Sequence, residues 1–301
     1  MIAARQIAFG KAAGKKEEPP AYWWLCFTAE EAGSTVAMQA VGSAPAVTLE
    51  TSFDGEIWES FTVGETTITL PNVGDKVYFR AGEGGNTAMA SSANDYNNFS
   101  IITGRIAASG NIMSLLNGVS PNSIIATYCY YGMFSGCTAL AQAPELPATT
   151  LDTYCYCGMF DGCTSLAQAP ELPATTLKSF CYYYMFKGCT SLAQAPELPA
   201  TTLGTYCYYG MFDGCTALAQ APELPATTLK SNCYGYMFKG CINIDCIKCS
   251  FKAFTTGVTN SWLSGVSFAG TFICPTALGT NETIRRGASY CPEGWTVINK
   301  D

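Results

Sequence analysis

The chain has 301 residues, with 16 Lys and Arg against 23 Asp and Glu, a net charge of −7, and no histidine. The acidic balance argues against a nucleic-acid partner, which needs basic surface for its phosphates. The missing histidine removes Ser-His-Asp and Cys-His nucleophiles, His-ligated zinc or haem, and imidazole pH switches.

With 48% apolar and 13% charged residues the sequence reads as globular. No stretch approaches the roughly 20 apolar residues that cross a bilayer, so no membrane insertion is expected. Residues 1–20 end on Pro19-Pro20, and Arg5, Gln6 and Lys11 interrupt any secretory apolar core, so no export signal is read. This segment is either a floppy terminus or a docking arm, with Ile2, Arg5, Ile7, Phe9 and Lys11 as the anchor that other proteins of a larger assembly would hold.

Residues 21–108 carry short alternating runs such as STVAMQAV, ETTITLP and DKVYFRAG between Gly, Pro, Asp and Asn, the pattern of a β-sandwich. Within them Ser52-Phe53-Asp54-Gly55-Glu56-Ile57-Trp58 resembles the Asp-box hairpin of sialidases, although an Asp-Gly turn beside a packing Trp is the simpler reading. Residues 109–126 read as a junction and N-terminal cap.

The segment LAQAPELPATTL then occurs four times unchanged, from Leu140, Leu166, Leu192 and Leu218, with a period of 26 residues. Two cysteine columns share that register, one from Cys129 to Cys233 and one from Cys137 to Cys241, so five units are visible. In each, Cys129, Met133 and Cys137 at i, i+4 and i+8 predict one face of a short helix ended by Gly136. Leu140, Ala143 and Leu146 predict a short strand arc, with Pro144 and Pro147 preventing a long ladder. The expected fold is therefore mixed: a β-sandwich followed by an α/β leucine-rich repeat solenoid over 127–249, right-handed, with one strand and one helix per unit and a C-terminal cap over 250–301.

CYYYMFKGCTSLAQAPELPATTL resembles the BspA-like leucine-rich repeats of surface proteins from anaerobic gut bacteria and of their phages. The tail with TNSWLSGVSFAGTFICP and PEGWTV and the GNIMSLL junction are similar to the segments that flank such arrays. The resemblance covers roughly 109–298 and implies non-enzymatic binding or adhesion through a repeat surface.

Three columns carry the candidate chemistry. The cysteines are read as buried, reduced spacers without metal; two rivals are a metal site at Cys241, Cys246 and Cys249, and a disulfide ladder between stacked units. Glu145, Glu171, Glu197 and Glu223 stand at a spacing of about 5 Å, which retaining glycosidases also use. Four equivalent carboxylates nevertheless lack the differentiated acid and nucleophile that catalysis needs, so they read as a solvated ladder or as a cation or glycan surface, with Gln142, Gln168, Gln194 and Gln220 as hydrogen-bonding neighbours.

The uniform column Tyr130, Tyr156, Tyr182, Tyr208 and Tyr234 reads as packing, whereas the variable one, with Tyr131, Tyr183 and Tyr209, reads as exposed rings that could meet sugars or a protein. The expected function is a cofactor-free, non-enzymatic binding protein of a phage virion that contacts host surface glycan or protein. A bacterial cell-surface adhesin and a carbohydrate-active enzyme stand as alternatives, and homo-oligomerisation is left open.

Overall fold

A computed structural model describes residues 23–100, 103–116, 122–124, 126–255 and 257–300. The proposed anchor residues Ile2, Arg5, Ile7, Phe9 and Lys11 lie outside these.

The alternating runs form eight short strands, β1 (Leu25–Ala29), β2 (Ser34–Val41), β3 (Leu49–Ser52), β4 (Glu59–Phe61), β5 (Thr67–Leu70), β6 (Lys76–Ala81), β7 (Tyr96–Ser100) and β8 (Ile106–Ser109), and the first repeat contributes β9 (Leu140–Gln142). They make a six-stranded sheet of order β4-β3-β6-β1-β8-β9 and a three-stranded sheet of order β5-β2-β7. All pairs are antiparallel except β8 with β9, where the first repeat adds its strand in parallel.

Inward-facing aromatics join the two sheets. Phe27 of β1 meets Phe79 of β6 edge-on at 5.5 Å and Phe99 of β7 at 4.8 Å. Phe99 in turn stacks at 5.4 Å on Phe134 of the first repeat. The repeats thus continue the same apolar core. In the β3–β4 loop the Asp54 carboxylate accepts the backbone N–H of Glu56 and Ile57 and the Ser52 hydroxyl, while Trp58 packs at 5.2 Å on Trp24 under the Arg80 guanidinium. One carboxylate closing its own loop gives the Asp-Gly turn a structural role.

The expected helix in each unit is not present, and among the described residues there is no α-helix. From Tyr128 to Cys137 the backbone is a run of overlapping turns. Tyr131, Met133, Ser135 and Cys137 donate to the carbonyl three residues earlier, while Tyr130, Gly132, Phe134 and Gly136 donate to Cys155, Cys157, Met159 and Asp161 of the next unit. Positive φ recurs every fourth residue, at Tyr128 (60°), Gly132 (60°) and Gly136 (78°). A chain that turns sharply every four residues places i, i+4 and i+8 on one side as a helix does, and this is why Cys129, Met133 and Cys137 are all buried.

The same alternation runs from unit to unit, each bond reaching 25 residues ahead, as in Tyr154 to Ser179, Tyr182 to Cys207 and Tyr208 to Cys233. The strand arcs shrink after β9 to single parallel bridges, Gln142 to Gln168, Gln168 to Gln194 and Gln194 to Gln220, because prolines interrupt each arc. Leu140, Leu166, Leu192 and Leu218 are fully buried.

The bonding also continues past Cys249. Tyr234, Tyr236, Phe238 and Gly240 donate to Val258, Asn260, Trp262 and Ser264, and the buried Trp262 stacks at 6.3 Å on Tyr234. A parallel sheet of β10 (Cys246–Lys248), β11 (Thr271–Cys274) and β12 (Thr296–Asn299) follows.

Candidate binding surface

Two exposed strips run along the repeats. The first is polar. Backbone bridges align Gln142, Gln168, Gln194 and Gln220 in parallel, and their side chains are exposed. Glu145, Glu171, Glu197 and Glu223 are exposed three residues further on, and Glu223 pairs with Lys248 at 2.7 Å. The sequence reading passed over a third polar row, the exposed pairs Thr149-Thr150, Thr175-Thr176, Thr201-Thr202 and Thr227-Thr228, of which Thr176 and Thr202 form a bridge.

Parallel strands stand roughly 4.8 Å apart, so this strip repeats amide, carboxylate and hydroxyl groups at close, even spacing. Lys248 aside, no charged partner among the described residues distinguishes one Glu from the next. The arrangement can bind a repetitive polar ligand, but it offers no separated acid and nucleophile.

The second strip is aromatic. Tyr130, Tyr156, Tyr182, Tyr208 and Tyr234 are fully buried as packing rings. Tyr131, Tyr183 and Tyr209 are half-buried and meet a row that sequence reasoning missed, at the residue before each first cysteine: Tyr128, Tyr154, Phe180 and Tyr206 stack at 4.4, 4.3 and 4.9 Å. The signal was present in the sequence, an aromatic or Asn at every such position, but the adjoining buried tyrosines obscured it.

Tyr183 and Tyr209 stack on one another at 5.1 Å with planes 6° apart, and Tyr131 meets Tyr96 edge-on at 5.4 Å. Ring faces expected to meet sugars are thus largely taken by neighbouring rings. Burial pushes the Tyr131 phenol up to about 12, with nearby Cys157 and tyrosines adding to it. Cys157 interrupts the row in the second unit, where its neighbours carry Tyr131 and Tyr183.

Beside the rings one position alternates in charge: Asp161, Lys187, Asp213, Lys239. Lys187 stands 3.7 Å from Asp161 and 5.0 Å over the Tyr184 ring, and Lys239 stands 3.7 Å from Asp213 and 5.4 Å over Tyr236. Burial raises the carboxyl pKa of both Asp161 and Asp213, against the opposing pull of the lysines.

Fifteen of the sixteen cysteines are buried. In the second column Cys137 donates to the Phe99 carbonyl of β7 at 2.9 Å, and the other four each donate to a phenylalanine carbonyl of the preceding unit, Cys163 to Phe134, Cys189 to Phe160, Cys215 to Phe186 and Cys241 to Phe212, at 3.0–3.1 Å. Cys246 is exposed while Cys241 and Cys249 are buried, and among the described residues no three Cys, Asp or Glu side chains converge as a metal requires.

Comparison with protein-family models, curated proteins and solved structures returned no match.

Proposed function

We propose that this chain is a non-enzymatic binding protein that holds a repetitive surface polysaccharide along its Gln, Glu and Thr strip. We read the repeats as a short solenoid and the N-terminal sheets as the sandwich that caps and presents it. The observation that carries the reading is the parallel bridging from Gln142 to Gln220, which fixes identical polar groups at one spacing over four units. A polymer with its own regular repeat meets such a row with many weak, equivalent contacts whose effects multiply. The resemblance to BspA-like repeats supports a role in surface recognition, and we place the protein on a phage virion that contacts its host.

Binding of the full chain to purified bacterial surface polysaccharide tests this. Glu171→Gln and Glu197→Gln should each weaken binding about 2- to 5-fold, with the double variant losing roughly the product, as expected for independent weak contacts. Absence of binding to any such polysaccharide, or release of reducing sugar that either single substitution abolishes, would overturn the reading. Mass spectrometry of purified virions against host outer-membrane fractions tests the location separately.

A further inference from the structure

We propose that the aromatic strip is a self-association surface that pairs two copies of this chain antiparallel about a two-fold axis. The sequence of charges beside the rings is the reason. Along the stack Asp161, Lys187, Asp213 and Lys239 read minus, plus, minus, plus. Read from the other end, the order is plus, minus, plus, minus. A second copy laid antiparallel therefore sets Asp161 against Lys239 and Lys187 against Asp213, and the two-fold axis repeats both pairs. A parallel copy in register would set like against like. Only a closed two-fold contact makes one patch complementary to itself.

Two further observations favour this occupant. The pairs made within the chain are loose: 3.7 Å for Lys187 with Asp161 and for Lys239 with Asp213 is too long for a hydrogen bond. By contrast Lys178 with Asp152 and Lys248 with Glu223 close to 2.9 and 2.7 Å. The ladder keeps its hydrogen-bonding capacity for a partner, where such pairs act more on register and specificity than on raw affinity.

The half-buried rings of Tyr183, Tyr184, Tyr206, Tyr209 and Tyr236 flank the ladder and supply the apolar, tyrosine-rich ground typical of an interface. This surface is separate from the polar strip proposed for polysaccharide, so either assignment can fail without the other. Two copies would double the polar strips offered to one polymer.

Sedimentation velocity of the full chain at low ionic strength tests it, with circular dichroism confirming the fold of each variant. The wild type should show a concentration-dependent dimer that weakens with salt. Asp161→Lys with Asp213→Lys, and separately Lys187→Asp with Lys239→Asp, should each be monomeric. Mixed one to one, these two variants should form a heterodimer. The chain with all four substitutions restores an alternating order and should dimerise with itself. A wild type that stays monomeric, single-sign variants that dimerise as the wild type does, or a mixture in which no pairing returns would overturn the proposal.

Discussion

Burial sets the chemistry of the repeat thiols. Cys129, Cys181, Cys233 and Cys241 are pushed up to about 12 from an ordinary value of 9.0, chiefly by desolvation. In the unfolded chain these thiols ionise above pH 9 while the folded chain keeps them protonated. The unfolded state then binds fewer protons, and stability falls as pH rises. Each such thiol withdraws on the order of 1.4 kcal/mol per pH unit between about 9 and 12. Urea midpoints should therefore hold below pH 9 and drop steeply above it, and a flat profile up to pH 11 would contradict the burial of these columns. The period marked both cysteine columns as interior. It could not reveal that Cys189 donates to the carbonyl of Phe160 in the preceding unit, because that partner is fixed by how one coil sits on the next.

The coil of turns shows where the reading of elements went astray. Over nine residues a spacing of four satisfies a helical face as well as it does a chain turning every fourth residue. The distinguishing cue was glycine: Gly132 and Gly136, then Gly158 and Gly162, stand four apart where positive φ is required. Tyr184 and Tyr236 adopt positive φ in the same column, and the Tyr184 ring lies across Gly210.

A Cβ at Gly210 would overlap that ring, in addition to the strain of a φ of +59°. Gly210→Ala should cost about 2–4 kcal/mol, falling to about 1–2 kcal/mol in a Tyr184→Ala background where only the backbone term remains. Thermal melts of the four chains check this, and equal penalties in both backgrounds would deny the contact. The exposed Gln and Glu rows were legible because prolines and leucines around them fixed which residues face outward. The alternation of Asp161, Lys187, Asp213 and Lys239 was not, because a consensus over single units erases a pattern that repeats every two.

At the scale of the molecule the apolar interior runs unbroken from the N-terminal sheets through the repeats to Trp262 and the last parallel sheet. Leu192 lies in the middle unit and is fully buried. Leu192→Asp should cost several kcal/mol, since an unpaired charge enters a column packed on both sides. Its melt should broaden or divide as the two halves lose their common partner, and an unchanged melting temperature would count against a shared interior.

Between units the bonds join backbone to backbone at a constant step, and the charge beside the rings alternates with a period of two units. Removing 52 residues, two whole units, would therefore bring together turns with the same backbone donors, the same acceptors and the same alternation of charge beside the rings. Both ends of the molecule would remain as they are. The length of this protein is in that sense a separate heritable trait: unequal recombination within the array can change its reach without redesigning either terminus.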